Sequence, residues 1–217
     1  MNRRLAGLRE FVLEHVGAPP AALLEIGAGE GELALALAEA RHAVTAIDPR
    51  APEGPIFRRM RLEDFAEPGP FDAVVASLSL HHVHDLDAAL DRVGSLLRPG
   101  GVLCLDEFAK ENLAGRTARW YYHQREALAA VGRGEAAVRD GFDAWHREWV
   151  EEHAEIHTGA ALREALTGRF VERFFEWVPY LYSYRLDDAL EPLERALIES
   201  GEILATGFRY VGVRGPR

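Results

Sequence analysis

The fold of this protein is decided by residues 23–31, which read Leu-Leu-Glu-Ile-Gly-Ala-Gly-Glu-Gly. An apolar run ends here in an acid and in three glycines at alternate positions, and an Ala- and Leu-rich run follows over residues 32–40. This order predicts a buried strand, a sharp turn and a helix. Glycine suits such a turn because it lacks a Cβ and tolerates positive φ, and exposed amides at a helix start can cradle a small ligand. We therefore predict that the chain is built around a nucleotide-like cofactor.

The glycine spacing separates two classes of cofactor. A dinucleotide-binding turn has the pattern G-x-G-x-x-G. Gly27 and Gly29 fit the first two positions, but the third glycine is Gly31 and Glu32 occupies the place that the pattern reserves for glycine. A carboxylate in the first helical turn is unfavourable beside a pyrophosphate, whereas a cofactor without phosphates tolerates it. An NAD(P)-dependent oxidoreductase is the rival enzyme class, and this spacing and the missing Y-x-x-x-K pair argue against it.

A second acid ends the next apolar run. Residues 43–48 read as a short strand that closes on Asp48, about 20 residues beyond the first glycine, where an acid is placed to accept both ribose hydroxyls. The alternative is a solvated strand-end carboxylate before Pro49. Together with the glycine turn, the ribose role is favoured.

Length and composition set limits on the class of protein. The chain has 217 residues, of which 48% are hydrophobic, and this suits one α/β domain with an elaboration, or at most two small domains. It contains no apolar run of about 18 residues, so we expect no membrane span. The net charge is −10, and the arginines are interleaved with acids, which disfavours nucleic acid as a partner.

The N-terminal segment and the cysteine content bear on location. Residues 1–4 lead into an amphipathic helix rather than a signal peptide. Cys104 is the single cysteine and lies in a strand pattern, so it cannot form an internal disulfide and is predicted to be a small buried hydrophobe. We expect a cytoplasmic protein.

The first half of the chain alternates strand and helix patterns. Helices are predicted at residues 4–16 and 85–97, and strands at 21–26, 43–48, 56–60, 71–77 and 102–105. Continuous apolar strands that alternate with helices indicate a parallel sheet with helices on both faces.

The second half follows another pattern. Residues 111–167 look wholly helical, with Phe142, Trp145 and Trp149 on one helical face. Residues 171–184 alternate with period two, and the phase shifts at Val178-Pro179. A helix over 187–199 and a strand over 206–213 follow, so two terminal strands are expected to extend the sheet with an antiparallel member.

Four segments together resemble the class I S-adenosylmethionine-dependent methyltransferases of the small-molecule type, similar to the type 11 and type 12 methyltransferase domains. They are the acid-x-G-x-G-x-G run at 25–31, the strand-two acid Asp48, the strand-four segment 71–83 with its His-His-Val, and the Leu-Leu-Arg-Pro-Gly-Gly turn that begins at 96. Each is weak alone, but their order and distances are specific. The resemblance covers residues 21–108.

This resemblance implies a Rossmann-like, doubly wound, mostly parallel seven-stranded sheet with an antiparallel last strand and a helical cap insertion. It implies a single domain over 1–217, made of a cofactor-binding core 1–110, a helical cap 111–168 and C-terminal strands 169–217. The implied cofactor is S-adenosylmethionine, with S-adenosylhomocysteine as product. The residues that the family would use for it are Glu25, Gly27, Ala28, Gly29, Gly31, Asp48, Leu62, Glu63 and Ser77.

The implied reaction is methyl transfer to a small molecule, with oxygen or nitrogen favoured over carbon as the acceptor atom. A non-catalytic S-adenosylmethionine-binding protein is a second alternative, and the oligomeric state stays open. A general base is needed only where the acceptor carries a proton. His81 and His82 are the candidates, since they follow the fourth strand at the edge where ligands bind in such sheets; helix capping or loop packing is the alternative.

The cap offers a possible substrate pocket. The aromatic run Trp120, Tyr121, Tyr122 and His123 is the candidate lining, where ring faces could also hold a cationic substrate, although aromatics at helical spacing also occur in cores. His153 and His157 stand at i and i+4, but a catalytic zinc site needs about three protein ligands. We therefore predict no metal.

Overall fold

The computed structural model describes residues 2–67, 69–134 and 141–215. Within these ranges seven strands form one sheet in the order β3-β2-β1-β4-β5-β7-β6. The strands are β1 Ala22–Ile26, β2 Ala43–Ile47, β3 Phe57–Arg58, β4 Phe71–Ser77, β5 Leu97–Phe108, β6 Phe170–Val178 and β7 Gly207–Arg214. Strands β1 to β5 are parallel, and β7 inserts antiparallel between β5 and β6. This confirms the predicted Rossmann-like sheet.

Helices cover both faces of the sheet. They are α1 Arg3–His15, α2 Glu32–Glu39, α3 Leu86–Leu96, α4 Gly115–Ala130, α5 Phe142–Glu152, α6 Gly159–Leu166 and α7 Glu191–Glu199. The apolar faces of α1 and α2 pack with one side of the strands, and those of α3 and α6 pack with the other. Cys104 is free and fully buried in the first of these layers, as predicted. No helix in the described part of the chain is long and apolar enough to cross a membrane.

The parallel strands bring their carboxyl ends to one edge of the sheet. Ile26 of β1 is in register with Ile47 of β2 and with Ala76 of β4, and Ser77 is in register with Asp106 of β5. The segments that follow these strands are therefore neighbours in space, although they are distant in the chain. All the candidate cofactor residues lie on or just beyond this edge.

The sequence predicts that residues 111–167 are wholly helical, without dividing them into separate helices; residues 135–140 of this segment lie outside the described ranges. The described residues form three helices instead, α4, α5 and α6. The chain takes positive φ at Gly132 and Gly134 after α4, and it starts α6 afresh at Thr158, whose side chain accepts a hydrogen bond from the amide of Ala161 at 3.1 Å. The segment has local helical propensity, but these turn and cap residues divide it into separate helices.

The phase shift at Val178-Pro179 marks the end of the strand, as predicted, but no strand continues from there to residue 184. β6 ends at Val178 because the next residue, Pro179, has no N–H to donate to a neighbouring strand. A 3₁₀ turn over Leu181–Ser183 follows. The buried carboxylate of Glu194 in α7 fixes this segment by accepting hydrogen bonds from the amides of Tyr180, Leu181 and Tyr182 at 2.9, 3.0 and 2.7 Å. Residues 180–184 therefore leave the sheet and turn toward the cap.

Two strand lengths differ from the sequence prediction. β3 is only two residues long, because it lies at the sheet edge and pairs with β2 alone. β5 runs from Leu97 to Phe108, since its carboxyl end continues in pairing with β7 up to Gly207. The longer β5 carries Asp106 and Glu107 to the edge where the candidate site lies.

Candidate functional site

The turn between β1 and α2 requires glycine for close packing as well as for backbone conformation. Gly27 and Gly31 have φ values of +75° and +81°. A Cβ added to Gly27 would lie 2.4 Å from the Cβ of Ser79, and one added to Gly31 would lie 2.5 Å from the ring of Phe57. The turn is held against the sheet edge, because the amides of Gly27 and Ala28 donate to the carbonyl of Ile47 at 2.9 and 3.2 Å and the amide of Gly31 donates to the carbonyl of Ala28 at 2.8 Å.

A cavity of about 240 Å³ lies above this turn. It is bounded by the glycine turn, the start of α1 and the end of β4. Its lining residues are Arg4, Leu5, Glu25, Gly27, Ala28, Glu30, Glu32, Leu33, Ser77 and Leu78. Four of the predicted cofactor residues, Glu25, Gly27, Ala28 and Ser77, are thus brought together at one cavity.

Glu25 is a buried carboxyl group with an unused hydrogen-bonding atom. Its side chain lies at the end of β1, the residue is 3% exposed, and Oε2 has no hydrogen-bond partner among the described residues. Burial raises the pKa of Glu25 to about 8, and the charge of Asp48 adds to the rise. Such an isolated group costs free energy in the folded chain, so its presence at a cavity points to a ligand that donates to it.

Arg4 supplies the opposite charge at the same cavity. Its guanidinium lies 2.6 Å from both Ser77 Oγ and Asp106 Oδ2, and the side chain is only 12% exposed. Among the residues that line the cavity, Arg4 is the only cation. A carboxyl group and an arginine that share one cavity suit a ligand with an ammonium and a carboxylate. Sequence reasoning missed Arg4, because nothing in an amphipathic helix marks which arginine faces a distant strand.

Asp48 lies beside the turn rather than inside the cavity. Its Oδ2 accepts a hydrogen bond from the amide of Gly29 at 3.1 Å, and its Oδ1 accepts one from the amide of Arg50 at 2.7 Å. The residue is 9% exposed. Its carboxylate is therefore held in place by the backbone on both sides and retains lone pairs for a further donor.

Two predicted residues lie away from the cavity. Leu62 and Glu63 belong to a 3₁₀ turn beyond β3, where Leu62 is buried in the core and Glu63 is exposed. Neither lines the cavity.

The two candidate bases differ in their surroundings. His81 is buried, and its Nδ1 lies 2.5 Å from Oε2 of Glu107. The other oxygen of Glu107 accepts hydrogen bonds from the amides of Ser79 and Leu80 at 3.1 and 2.7 Å. His82 is exposed, and its ring centroid is 4.2 Å from that of His81. Partial burial lowers the pKa of His82, and the neighbouring charge of His81 lowers it further.

The cap touches this histidine loop. The amide of His157 donates to the carbonyl of His81 at 2.9 Å, and its Nε2 lies 2.9 Å from the carbonyl of Val83. His153 lies near enough to His82 to lower its pKa, and its Nε2 is 3.4 Å from the hydroxyl of Tyr184. The i, i+4 histidines are thus both engaged with the protein. Within the described ranges no three His, Cys, Asp or Glu side chains are grouped to bind a metal.

The aromatic run of α4 is divided between core and surface. Tyr121 and Tyr122 are buried in a third apolar cluster, which also contains Phe108, Trp145, Trp149 and Leu181. Trp120 is partly buried against this cluster, and the side chain of His123 is 64% exposed beside Glu126. Of these four, Tyr121 lines a cavity in the cap.

Tyrosines from the segment after β6 complete the aromatic arrangement. The rings of Tyr180 and Tyr184 stack with centroids 5.8 Å apart, and Tyr184 stacks on Tyr121 at 5.9 Å. Phe108 at the end of β5 lies 5.0 Å from Tyr180, and the guanidinium carbon of Arg4 lies 5.9 Å from the same ring. Three nearly parallel rings therefore lead from the cavity at the glycine turn into the cap.

Comparison with known proteins identifies the family. Residues 1–169 match a family model described as a methyltransferase domain. Since the match covers more than half of the chain, this protein belongs to the methyltransferase domain family. The resemblance predicted from the glycine turn, Asp48 and the two later segments is thereby confirmed.

Curated relatives match the chain over part of their length. An uncharacterized methyltransferase of Mycobacterium tuberculosis is 34% identical over 126 residues, which are 51% of this chain and 61% of the relative. A ubiquinone biosynthesis O-methyltransferase of Xanthomonas campestris is 38% identical over 112 residues, 44% of this chain and 46% of the relative. The chain therefore spans less than two thirds of the length of either relative.

Solved structures share the fold over nearly the whole chain. The 1,6-didemethyltoxoflavin-N1-methyltransferase of Burkholderia thailandensis, solved with its acceptor and S-adenosylhomocysteine, aligns with a TM-score of 0.61. The alignment covers 99% of this chain and 80% of that one at 18% sequence identity. At this identity the likeness is one of fold.

Proposed function

We propose that this protein transfers the methyl group of S-adenosylmethionine to an oxygen or nitrogen atom of a small-molecule acceptor. Membership of the methyltransferase domain family supports this activity. The observation that carries it is the cavity at the glycine turn, where the buried, unpaired carboxyl of Glu25 and the anchored guanidinium of Arg4 are both exposed to one ligand. The O-methyltransferase among the curated relatives supports oxygen as an acceptor atom.

The residues present fit S-adenosylmethionine. Glu25 would bind the amino group of the methionyl part and Arg4 its carboxylate. Asp48 would bind the ribose hydroxyls. The backbone of the glycine turn would lie close to the nucleoside, because its glycines carry no side chain. We retain the turn at residues 62–63 as the proposed adenine contact.

The same cavity disfavours the rival oxidoreductase. Glu30 and Glu32 both line it, and neither could approach a pyrophosphate without repulsion. S-adenosylmethionine has no phosphate, so these carboxylates do not oppose its binding. The second rival, a non-catalytic S-adenosylmethionine-binding protein, differs from the proposal only in turnover and is separated by experiment.

When bound, S-adenosylmethionine supplies an electrophilic methyl group on a sulfonium. The task of the chain is then to align the acceptor with this group and to exclude water. Leu5, Leu33 and Leu78 give the cavity an apolar wall, and α1 closes it through the hydrogen bonds of Arg4 to Ser77 and Asp106. The ring of Tyr180 stands next to Arg4 on the side of the cap.

Within this proposal His82 is the general base. Its lowered pKa leaves the ring neutral at neutral pH, and its exposure leaves a nitrogen free to accept a proton. His81 is engaged with Glu107 through Nδ1 and with the cap through its carbonyl oxygen. It therefore acts as a positioning residue that fixes the loop on which His82 stands.

Replacement His82→Gln is expected to lower kcat about 100-fold with an acceptor that must lose a proton, because general-base catalysis contributes roughly 10²–10⁴-fold. In the wild type the rate should rise with pH through the lowered pKa of His82 and be level at neutral pH. In the variant this rise of the rate with pH should be absent. An unchanged pH profile in the variant would show that His82 is not the base.

The proposed function is tested first by binding. Isothermal titration is expected to give micromolar affinity for S-adenosylhomocysteine and none for NAD. Turnover is then measured with labelled S-adenosylmethionine on a panel of phenols, hydroxy acids and amines. Binding of NAD alone would reject the proposal in favour of an oxidoreductase. Binding of S-adenosylhomocysteine without transfer to any member of the panel would favour the non-catalytic alternative.

A further inference from the structure

A second cavity, of about 130 Å³, lies inside the cap. It is formed by α4, α5 and the segment after β6. Its lining residues are Tyr121, Arg125, Trp145, Glu148, Trp149, Glu152, Tyr184 and Arg185. A dry cavity of about 150 Å³ is known to hold a benzene molecule, so this space fits one ring or one acid group with its attached carbons.

Arg125 is an unusual residue to line such a cavity. The residue is 8% exposed, and no hydrogen bond or ion pair within 4.0 Å joins its guanidinium to any residue in the described part of the chain. Its guanidinium carbon lies 6.0 Å from the centroid of the Tyr121 ring. A buried guanidinium is normally paired with a carboxylate or with carbonyl oxygens.

A second unpaired donor lines the same cavity. Trp149 is 6% exposed, and its Nε1 has no acceptor among the described residues. The carboxylates of Glu148 and Glu152 are also part of the lining, but both residues are exposed at the rim and neither pairs with Arg125. The cavity therefore presents two donors, the guanidinium of Arg125 and the unpaired Nε1 of Trp149.

A row of aromatic rings lies between this cavity and the proposed site of methyl transfer. Tyr184 belongs to its wall and stacks on Tyr180 at 5.8 Å. Tyr180 in turn lies 5.9 Å from the guanidinium carbon of Arg4, which lines the cavity at the glycine turn. A molecule whose acid group sits at Arg125 would extend along these rings toward the sheet edge.

We propose that Arg125 binds the anionic group, a carboxylate or a phosphate, of an aromatic methyl acceptor. This inference rests on the proposed function, since it names the class of its acceptor. Arg125 would form the ion pair, Trp149 would donate a further hydrogen bond, and the tyrosine rings would stack on the aromatic part.

The test uses the full chain saturated with S-adenosylhomocysteine and titrated with benzoate, phenyl phosphate and the neutral benzamide. Quenching of tryptophan fluorescence reports binding, because Trp145 and Trp149 line the cavity. We expect at least one of the two acids to bind tenfold or more tightly than benzamide, and the comparison of the two separates a carboxylate site from a phosphate site. Equal binding of the acids and benzamide would overturn the inference.

Variants assign the preference to one side chain. Arg125→Gln is expected to abolish the preference for acids while affinity for S-adenosylhomocysteine stays within twofold, and Arg125→Lys should retain part of the preference. Arg116→Gln, at a 73% exposed arginine of the same helix, is the matched control and should change nothing. A preference that survives in Arg125→Gln would contradict the inference. If the wild type does not bind S-adenosylhomocysteine, the result would instead contradict the proposed function.

Discussion

Replacement of Asp48 by alanine is expected to lower the affinity for S-adenosylhomocysteine by at least about 100-fold. A hydrogen bond to a charged group contributes roughly 1.5–3 kcal/mol, and the proposal gives this carboxylate two ribose hydroxyls. The loss of both corresponds to about 3 kcal/mol or more, and each 1.4 kcal/mol is a factor of ten. Isothermal titration at neutral pH measures the change directly.

Two further variants show whether this loss is specific. Asp48 also accepts from the amides of Gly29 and Arg50, so alanine could loosen the turn itself. Asp48→Asn keeps the shape and one acceptor oxygen, and its expected loss is about tenfold. Glu53→Ala removes a neighbouring acid that is 91% exposed and should be neutral. An affinity that stays within twofold in Asp48→Ala would remove the basis of the proposed cofactor site.

Glu25→Gln is expected to change stability and binding in opposite directions. Burial and Asp48 raise the pKa of Glu25 from 4.5 to about 8 in the folded chain. The folded state therefore favours the protonated form, and its contribution to stability is complete below pH 4.5 and is lost as pH rises toward 8. The slope is about 1.4 kcal/mol per pH unit. Because glutamine stays neutral, the ligand-free variant should melt several degrees above the wild type at pH 7.5 and lack this slope.

The affinity for S-adenosylhomocysteine should fall in Glu25→Gln, although the stability of the ligand-free protein rises. The amino group of the cofactor needs the ionised carboxylate, so affinity of the wild type for S-adenosylhomocysteine should increase from pH 6 toward pH 8, with release of a proton. Glu25→Gln should bind about 30-fold more weakly at pH 8, in line with about 2 kcal/mol for a charged hydrogen bond, and should show a flat profile. Calorimetry in buffers of different ionisation enthalpy counts the proton. A variant that is both less stable and equally tight in binding would contradict the assigned role.

The protonation of Glu25 is coupled to the charge of Asp48. The charge of Asp48 is the second cause of the raised pKa of Glu25. In Asp48→Asn this charge is removed, so the pH dependence of S-adenosylhomocysteine binding should move to lower pH. The weaker ribose contact and the shifted profile would then appear in one variant, although they arise from different physical causes.

The opposite expectations for Glu25 illustrate why a ligand site can persist at a cost to the folded chain. Most buried polar atoms find a partner within the protein, and Oε2 of Glu25 finds none among the described residues. A ligand that binds only the folded state stabilises it by mass action, and this offsets the cost of leaving the buried carboxyl group unpaired. The same reasoning leads to Arg125 and Trp149 in the cap, where donors rather than acceptors lack partners.

The sequence by itself determined the order of the elements and the position of the proposed cofactor site. The glycine turn and Asp48 can be identified without a structure, because the turn needs residues without a Cβ and because parallel strands must end at a common edge. The apolar runs of β1, β2 and β4 were found close to their observed bounds for the same reason: buried parallel strands are continuously apolar. The insertion of β7 was expected from the family resemblance rather than from the pattern.

Only the tertiary structure decided which side chains complete the site. Arg4 reaches Asp106, His81 reaches Glu107, and Glu194 turns Tyr180 out of the strand that its periodicity suggested. Arg125 became distinctive only when its helix was packed and left it without a partner. Hydrophobic pattern and turn chemistry act over a few residues and can be read locally, whereas the pairing of charges and the stacking of rings depend on contacts between residues that are distant in the chain.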